Sequence, residues 1–202
     1  MYAGSDDQYQ KQLSKTYTDL IGKSFFAPLW STGNIQCHYG YTQKDVEEVA
    51  AKYRETGIPL DAMMVDIEWY KYLCTPTAWN NSNFPDPDGM IQKLKDLNVR
   101  FGVIDDPNIT NRDNNADFVT GDKNGYFVKN QTGKTQLITW PWGGASGLVD
   151  YFNPDARKWW GDLHQGILDQ GVECFWLDMS EPAKYNADWL FWNEDGKSYG
   201  NL

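Results

Sequence analysis

Apolar runs alternate with amphipathic stretches along the 202 residues, and the alternation spells out a repeating unit. Residues 7–21, DQYQKQLSKTYTDLI, place Leu13, Tyr17 and Leu20 at helical spacing, and Gly22 ends the helix they predict. FFAPLWS, residues 25–31, reads as a buried strand. In TQKDVEEVAAKYRETG, Thr42 is the expected N-cap, Val46, Val49, Ala50 and Tyr53 form an apolar face, and Gly57 is the expected C-cap. A second apolar run follows, LDAMMVDIEW, broken by Asp66. Beyond a loop rich in Asn and Pro, DGMIQKLKDLN predicts a short amphipathic helix and VRFGVID, residues 99–105, a third strand. Residues 107–153 leave this rhythm. Turn signals at residues 122–125 and at Thr132 and Gly133 flank short β-like runs, which predicts an inserted hairpin region. NPDARKWWGDLHQGILDQG restores the rhythm with a helix capped by Asn153 or Asp155, faced by Trp159, Leu163, Ile167 and Leu168, and stopped by Gly171. VECFWLD is the fourth strand.

Strands that are apolar almost throughout belong to a parallel sheet covered on both faces, either doubly wound or closed as a (β/α)8 barrel. Three successive strands end in carboxylates: Asp66 and Glu68, Asp105 and Asp106, Asp178 and Glu181. In a barrel such ends converge on the face that carries the active site. A doubly wound nucleotide fold would show a glycine-rich phosphate turn after its first strand, and SFFAPLWSTGNIQCHYGY has none. The expected fold is therefore α/β, a partial (β/α)8 TIM barrel of about strands 1–4. Residues 1–202 would form the N-terminal part of a catalytic domain, with residues 107–153 inserted after strand 3.

The net charge of −10 argues against nucleic acid or an anionic membrane as partner, because no basic face is available to displace counterions. No apolar run approaches membrane-spanning length, and the opening residues MYAGSDDQYQKQ have neither a basic nor an apolar leader region. Cys37, Cys74 and Cys174 lack any CxxC spacing and read as free thiols. Ten tryptophans suit a sugar cleft as well as a core, since flat rings stack on the apolar faces of pyranoses. Of the chemistries a carboxylate cluster can perform, metal binding is poorly supplied, with only His38 and His164 and the latter on a helix. Ser/His/Asp catalysis lacks a nucleophile elbow. Glycosyl transfer needs carboxylates and stacking aromatics, and calls for neither metal nor cofactor.

ECFWLDMSEPA, residues 173–183, resembles the nucleophile signature of glycoside hydrolase family 31, the α-glucosidase family, usually written W-x-D-M-N-E, with Ser180 in place of Asn. IQCHYGY is similar to that family's H-Q-C-R-W-G-Y, GIPLDAMMVDIEWY to its second-strand segment, VIDDPNIT to its V-D-P segment, and TWPWGGASGLVDYFNPDARKWW to its W-P-G region. The resemblance runs in order through essentially the whole chain. It implies that Asp178 is the catalytic nucleophile of a retaining α-glycoside hydrolase. Asp66 and Asp106 would bind hydroxyls of the sugar beside it, and Trp140, Trp176, Met179 and Tyr39 would wall the pocket. Glu181 would position its loop and Glu68 would support the site. The family's general acid/base comes from a later strand, so the resemblance also implies a fragment that works with the rest of a barrel and an N-terminal β-sandwich. Val65 before Asp66 and the expanded WPWGGASG segment depart from the family's pattern and would, by the resemblance, lie beside the pocket. Hydrolysis, transglycosylation and lyase chemistry on α-linked oligosaccharides thus stay open, as does sugar binding without catalysis.

Overall fold

The computed structural model describes residues 7–181, 183, 186–193 and 199–200. The chain divides into two compact units, Met1–Thr32 and Gly33–Leu202. In the first, helix α1 (Asp7–Ile21) is followed by an irregular segment and a 3-10 turn, Leu29–Thr32. FFAPLWS is not the strand its apolar content suggests. Phe25 and Phe26 are 85% and 94% exposed, and the Pro28 carbonyl accepts from the Ser31 N–H at 3.0 Å to start the turn. A proline here can bring no N–H to a ladder, which is why the run bends instead of pairing.

The second unit is built on four parallel strands in the order β1 (Ile35–His38), β2 (Ala62–Val65), β3 (Arg100–Asp105) and β7 (Cys174–Leu177). The first strand is thus IQCH. Cys37 lies opposite Met64, Met64 opposite Gly102, and Gly102 opposite Cys174. Because side chains alternate across a strand, these four share one face of the sheet. The other face carries Met63, Val65, Phe101, Val103 and Phe175 into a core completed by Trp69, Trp79 and Phe84. Gly102 is required by close approach: a Cβ there would lie 2.3 Å from Cys174 Sγ and 2.8 Å from the Cys174 carbonyl oxygen.

Helices cover the core face and are capped as their sequences dictate. Thr42 and Asp45 form a reciprocal capping box at the start of α2 (Gln43–Thr56), which ends on Gly57 at φ 72°. Asp86 caps α3 (Pro87–Asp96). Asn153, not Asp155, caps α5 (Pro154–Gln170): its side chain accepts from the N–H groups of Asp155 and Ala156, and Pro154 opens the helix. Within α5 the inward positions are Ala156, His164 and Ile167, whereas Leu168 is 41% exposed.

Residues 107–153 form a three-stranded antiparallel sheet in the order β4 (Asn108–Thr110), β6 (Gly144–Leu148) and β5 (Leu137–Trp140), with a helix, α4 (Ala116–Asn124), between β4 and β5. Residues 122–125 are not a hairpin turn. Asn115 caps a helix that ends on Gly125 at φ 71°, so the same turn-forming residues terminate α4. Thr132 and Gly133 do sit in a turn, with Gly133 N–H donating to the Asn130 carbonyl at 2.9 Å. A further short pair, β8 (Phe191–Trp192) and β9 (Tyr199–Gly200), follows β7.

Candidate active site

Asp66, Asp106 and Asp178 follow the C-terminal ends of β2, β3 and β7. Counting in twos from Met64, Gly102 and Cys174 puts all three on the face opposite the main core. Asp66 caps a 3-10 turn, Ile67–Trp69, with Oδ1 accepting from the Ile67 N–H at 2.7 Å. That turn aims Trp69 and Tyr70 at the end of β3. The Trp69 indole N–H and the Tyr70 hydroxyl both donate to the Ile104 carbonyl, at 3.0 and 3.1 Å, and the Tyr70 oxygen accepts from the Asp106 N–H at 3.0 Å. Burial, with the charges of Asp105 and Asp106, pushes the Tyr70 phenol well up, so it keeps the proton these bonds need.

Asp106 is fully buried, and one of its oxygens is densely held. Oδ2 accepts from the Cys74 thiol at 3.0 Å, from Trp140 Nε1 at 3.3 Å and from Trp142 Nε1 at 2.7 Å. Oδ1 has no partner among the described residues. Burial raises the Asp106 pKa, the three donors pull it partly back, and the nearby charge of Asp178 adds to the rise. Asp106 is therefore closed in by the thiol and the two indoles it holds and presents no open surface. Its register neighbour on β7 is set by a backbone bond, Asp178 N–H to the Asp105 carbonyl at 3.2 Å. Met179 then adopts φ 56°, a left-handed turn that carries the chain away from the sheet, and packs against the buried cluster that holds Trp140 and Cys74.

Of the residues expected to wall the pocket, Trp140 is buried, Trp176 is 37% exposed on the face shared with Asp178, and Tyr39 is 66% exposed just after β1. Glu68 lies in the turn after Asp66 with Oε2 buried and without a partner among the described residues. The charges of Asp66 and Glu68, after burial, lift the Cys37 thiol on the adjoining strand. Glu181 lines a different space, a cavity of about 450 Å³ that Asp105, Phe152 and Leu177 also line and Asp178 does not. Sequence reasoning read Cys74 only as a free thiol and gave it no place in the site, because it belongs to a loop with no recognisable motif. It gave Trp142 no role and set His164 aside as a metal ligand, although His164 pairs with Asp105 behind the sheet. Among the described residues, no three His, Cys, Asp or Glu side chains group to hold a metal ion, and no helix is long and apolar enough to cross a membrane. The three thiols are free.

The sequence and the fold are similar to those of known proteins. The sequence profile of the glycosyl hydrolases family 31 TIM-barrel domain covers residues 24–200. The chain belongs to glycosyl hydrolase family 31. Among curated relatives, it is 34% identical over 178 residues to alpha-glucosidase 2 of Bacillus thermoamyloliquefaciens, covering 87% of this chain and 22% of that protein. It is 33% identical over 191 residues to the glucosidase 2 subunit alpha of Schizosaccharomyces pombe, covering 92% and 20%. Among solved structures, a GH31 dextranase from Flavobacterium johnsoniae, a mutant complexed with isomaltotriose, superposes with a TM-score of 0.83 at 34% identity over 90% of this chain and 23% of that one. The chain thus spans about a fifth of the length of the curated relatives it matches. Its four-stranded parallel sheet is a partial family 31 barrel.

Proposed function

We propose that this segment supplies the nucleophile-bearing part of a retaining α-glycoside hydrolase acting on α-linked glucose oligosaccharides. The observation that carries the reading is the convergence of Asp66, Asp106 and Asp178 at the ends of adjacent parallel strands, on one face of the sheet. That end of a barrel is where strands deliver catalytic groups. Names of the relatives point the same way: α-glucosidases, and a dextranase complexed with an α-linked trisaccharide.

In the proposed reaction one Asp178 carboxylate oxygen attacks the anomeric carbon. The bond to the leaving oxygen breaks, and that oxygen takes a proton from an acid. Water then attacks the resulting β-glycosyl ester, the same group takes back a proton, and the α configuration is restored. Asp66 accepts hydrogen bonds from hydroxyls of the reacting sugar, and Trp176 and Met179 shape its apolar surroundings. The acid/base group, about 5–5.5 Å from the nucleophile in retaining enzymes, would come from the remainder of the barrel. A larger assembly is supported by the small share of its relatives that the segment spans and by the outer edges of β1 and β7, which pair with no strand among the described residues.

Incubating the complete polypeptide that carries residues 1–202 with 5-fluoro-α-glucosyl fluoride, followed by peptide mass spectrometry, tests the reading. A single glycosyl adduct on Asp178, absent in Asp178→Ala, is the expected result. Turnover of an α-glucoside without labelling, or undiminished by Asp178→Ala, would sink it.

A further inference from the structure

The turn between β5 and β6 carries a second tryptophan that none of the site roles above requires. Trp142 is partly exposed, unlike the buried Trp140 beside it, and the two rings meet edge to face, 85° apart with centroids 6.3 Å from each other. Its position is fixed from three sides. The indole N–H is held by Asp106 Oδ2 at 2.7 Å, the shortest of that oxygen's three bonds. The next carbonyl, of Gly143, accepts from the buried Thr110 hydroxyl at 2.7 Å. A Cβ at position 143 would come within 3.3 Å of Ser146 Oγ and 3.4 Å of Cys74 Sγ, so the turn is packed against both neighbours. Apolar contact completes the placement: Trp142 and Met179, which directly follows Asp178, pack against one buried cluster that includes Cys74, Trp140 and Leu148.

A large ring whose polar edge is tied down keeps only its apolar face to offer, and it offers that face at little cost in side-chain entropy. A flat apolar face suits the carbon-bound hydrogens of a pyranose ring. The partner holding it, Asp106, has its second oxygen buried and without a hydrogen-bond partner among the described residues. We infer that Trp142 is a sugar-stacking, specificity-determining residue of this site, and that Asp106 and Cys74 are the positioning residues that lock its ring. The inference rests on the glycosidase reading for its substrate class, α-linked glucose oligosaccharides.

The test measures binding without turnover. In the complete polypeptide carrying Asp178→Asn, calorimetric titration with maltotriose and with isomaltotriose is compared for Trp142→Phe and Trp142→Leu. Both replacements keep apolar bulk against the buried cluster; only phenylalanine keeps a flat face. Phenylalanine is expected to retain most of the affinity for at least one trisaccharide, and leucine to lose about tenfold, which corresponds to about 1.4 kcal/mol. Leucine binding like the parent, or phenylalanine losing as much as leucine, overturns the assignment. The two readings fail separately. Labelled Asp178 with indifferent Trp142 variants removes only the stacking role, whereas a stacking defect without an Asp178 adduct removes only the nucleophile.

Discussion

His164 Nε2 stands 3.0 Å from Asp105 Oδ2, a buried pair that ties α5 to the back of β3. The other ring nitrogen, Nδ1, lies 2.7 Å from the Trp160 carbonyl. The carbonyl accepts, as does the ionised Asp105 carboxylate, and an imidazolium donates to both at once. Burial works against that charge, but the Asp105 bond and charge outweigh it, and the His164 pKa is raised. Burial pushes the Asp105 carboxyl up, with the His164 bond pulling it partly back.

The pair therefore links stability to pH. A histidine whose folded pKa exceeds its unfolded value, about 6.5, stabilises fully below that value and loses the contribution as pH rises through the folded pKa. Urea midpoints are expected to fall between about pH 6.5 and the raised pKa, and the fall to vanish in His164→Gln. Removing one member of a buried pair strands the other, so this variant should lose about 3–5 kcal/mol at pH 6. A wild-type midpoint that stays flat across that interval would contradict the imidazolium assignment.

The thiols make a second prediction. Burial and the adjacent Asp106 carboxylate push the Cys74 thiol far above its usual range, and burial with the Glu173 charge pushes Cys174 up to about 11. Thiolate is the reactive form, so access and pKa together set the order of alkylation. Cys37, the exposed member, should react first with iodoacetamide at pH 8, Cys174 later, and Cys74 only on unfolding. Peptide mass spectrometry over time reads the order, and early labelling of Cys74 would show that its bond to Asp106 is not maintained in solution.

Local chemistry was legible in the sequence where it acts locally. Thr42, Gly57, Asn153 and Gly171 mark helix ends because a capping side chain or a left-handed backbone needs only its own neighbours. The carboxylates after three apolar runs were equally plain, since period two and a shared strand end place them together without further information. FFAPLWS misled because apolar content cannot say whether a partner strand is available, and IQCH took the ladder position instead. Residues 122–125 misled because Asp, Asn and Gly end helices as readily as they make hairpins. What stayed hidden was chemistry joining distant segments. Asp105 and His164 lie 59 residues apart, and Cys74 and Asp106 lie 32 apart. No spacing rule reaches that far.

Gly102→Ala tests the close approach at the centre of the sheet. The added methyl would stand 2.3 Å from Cys174 Sγ, 2.8 Å from the Cys174 carbonyl oxygen and 2.9 Å from Met64 Cε. The methionine end and the thiol can swing aside, but the carbonyl is part of the β3–β7 ladder and cannot. Overpacking of this kind costs about 1–3 kcal/mol. Thermal unfolding should show that loss, and Cys174→Ala in the same chain should recover only part of it, because the backbone contact remains. Full recovery would place the clash on the sulfur alone.

The outer edge of β7 sets the behaviour of the 202-residue chain on its own. Among the described residues no strand pairs with that edge, and Leu177 at its end is 67% exposed while Trp176 is 37% exposed. Unpaired N–H and C=O groups flanked by apolar side chains are a template for association with another copy. The isolated chain is accordingly expected to scatter light increasingly with concentration and to show no turnover of 4-nitrophenyl α-glucoside. Lysine at an edge position opposes such pairing through charge. Leu177→Lys should therefore reduce the scattering while leaving the far-ultraviolet circular dichroism spectrum in place. Equal scattering from both chains would move the sticky surface away from β7, and a monodisperse wild-type chain would mean that the edge is covered in solution.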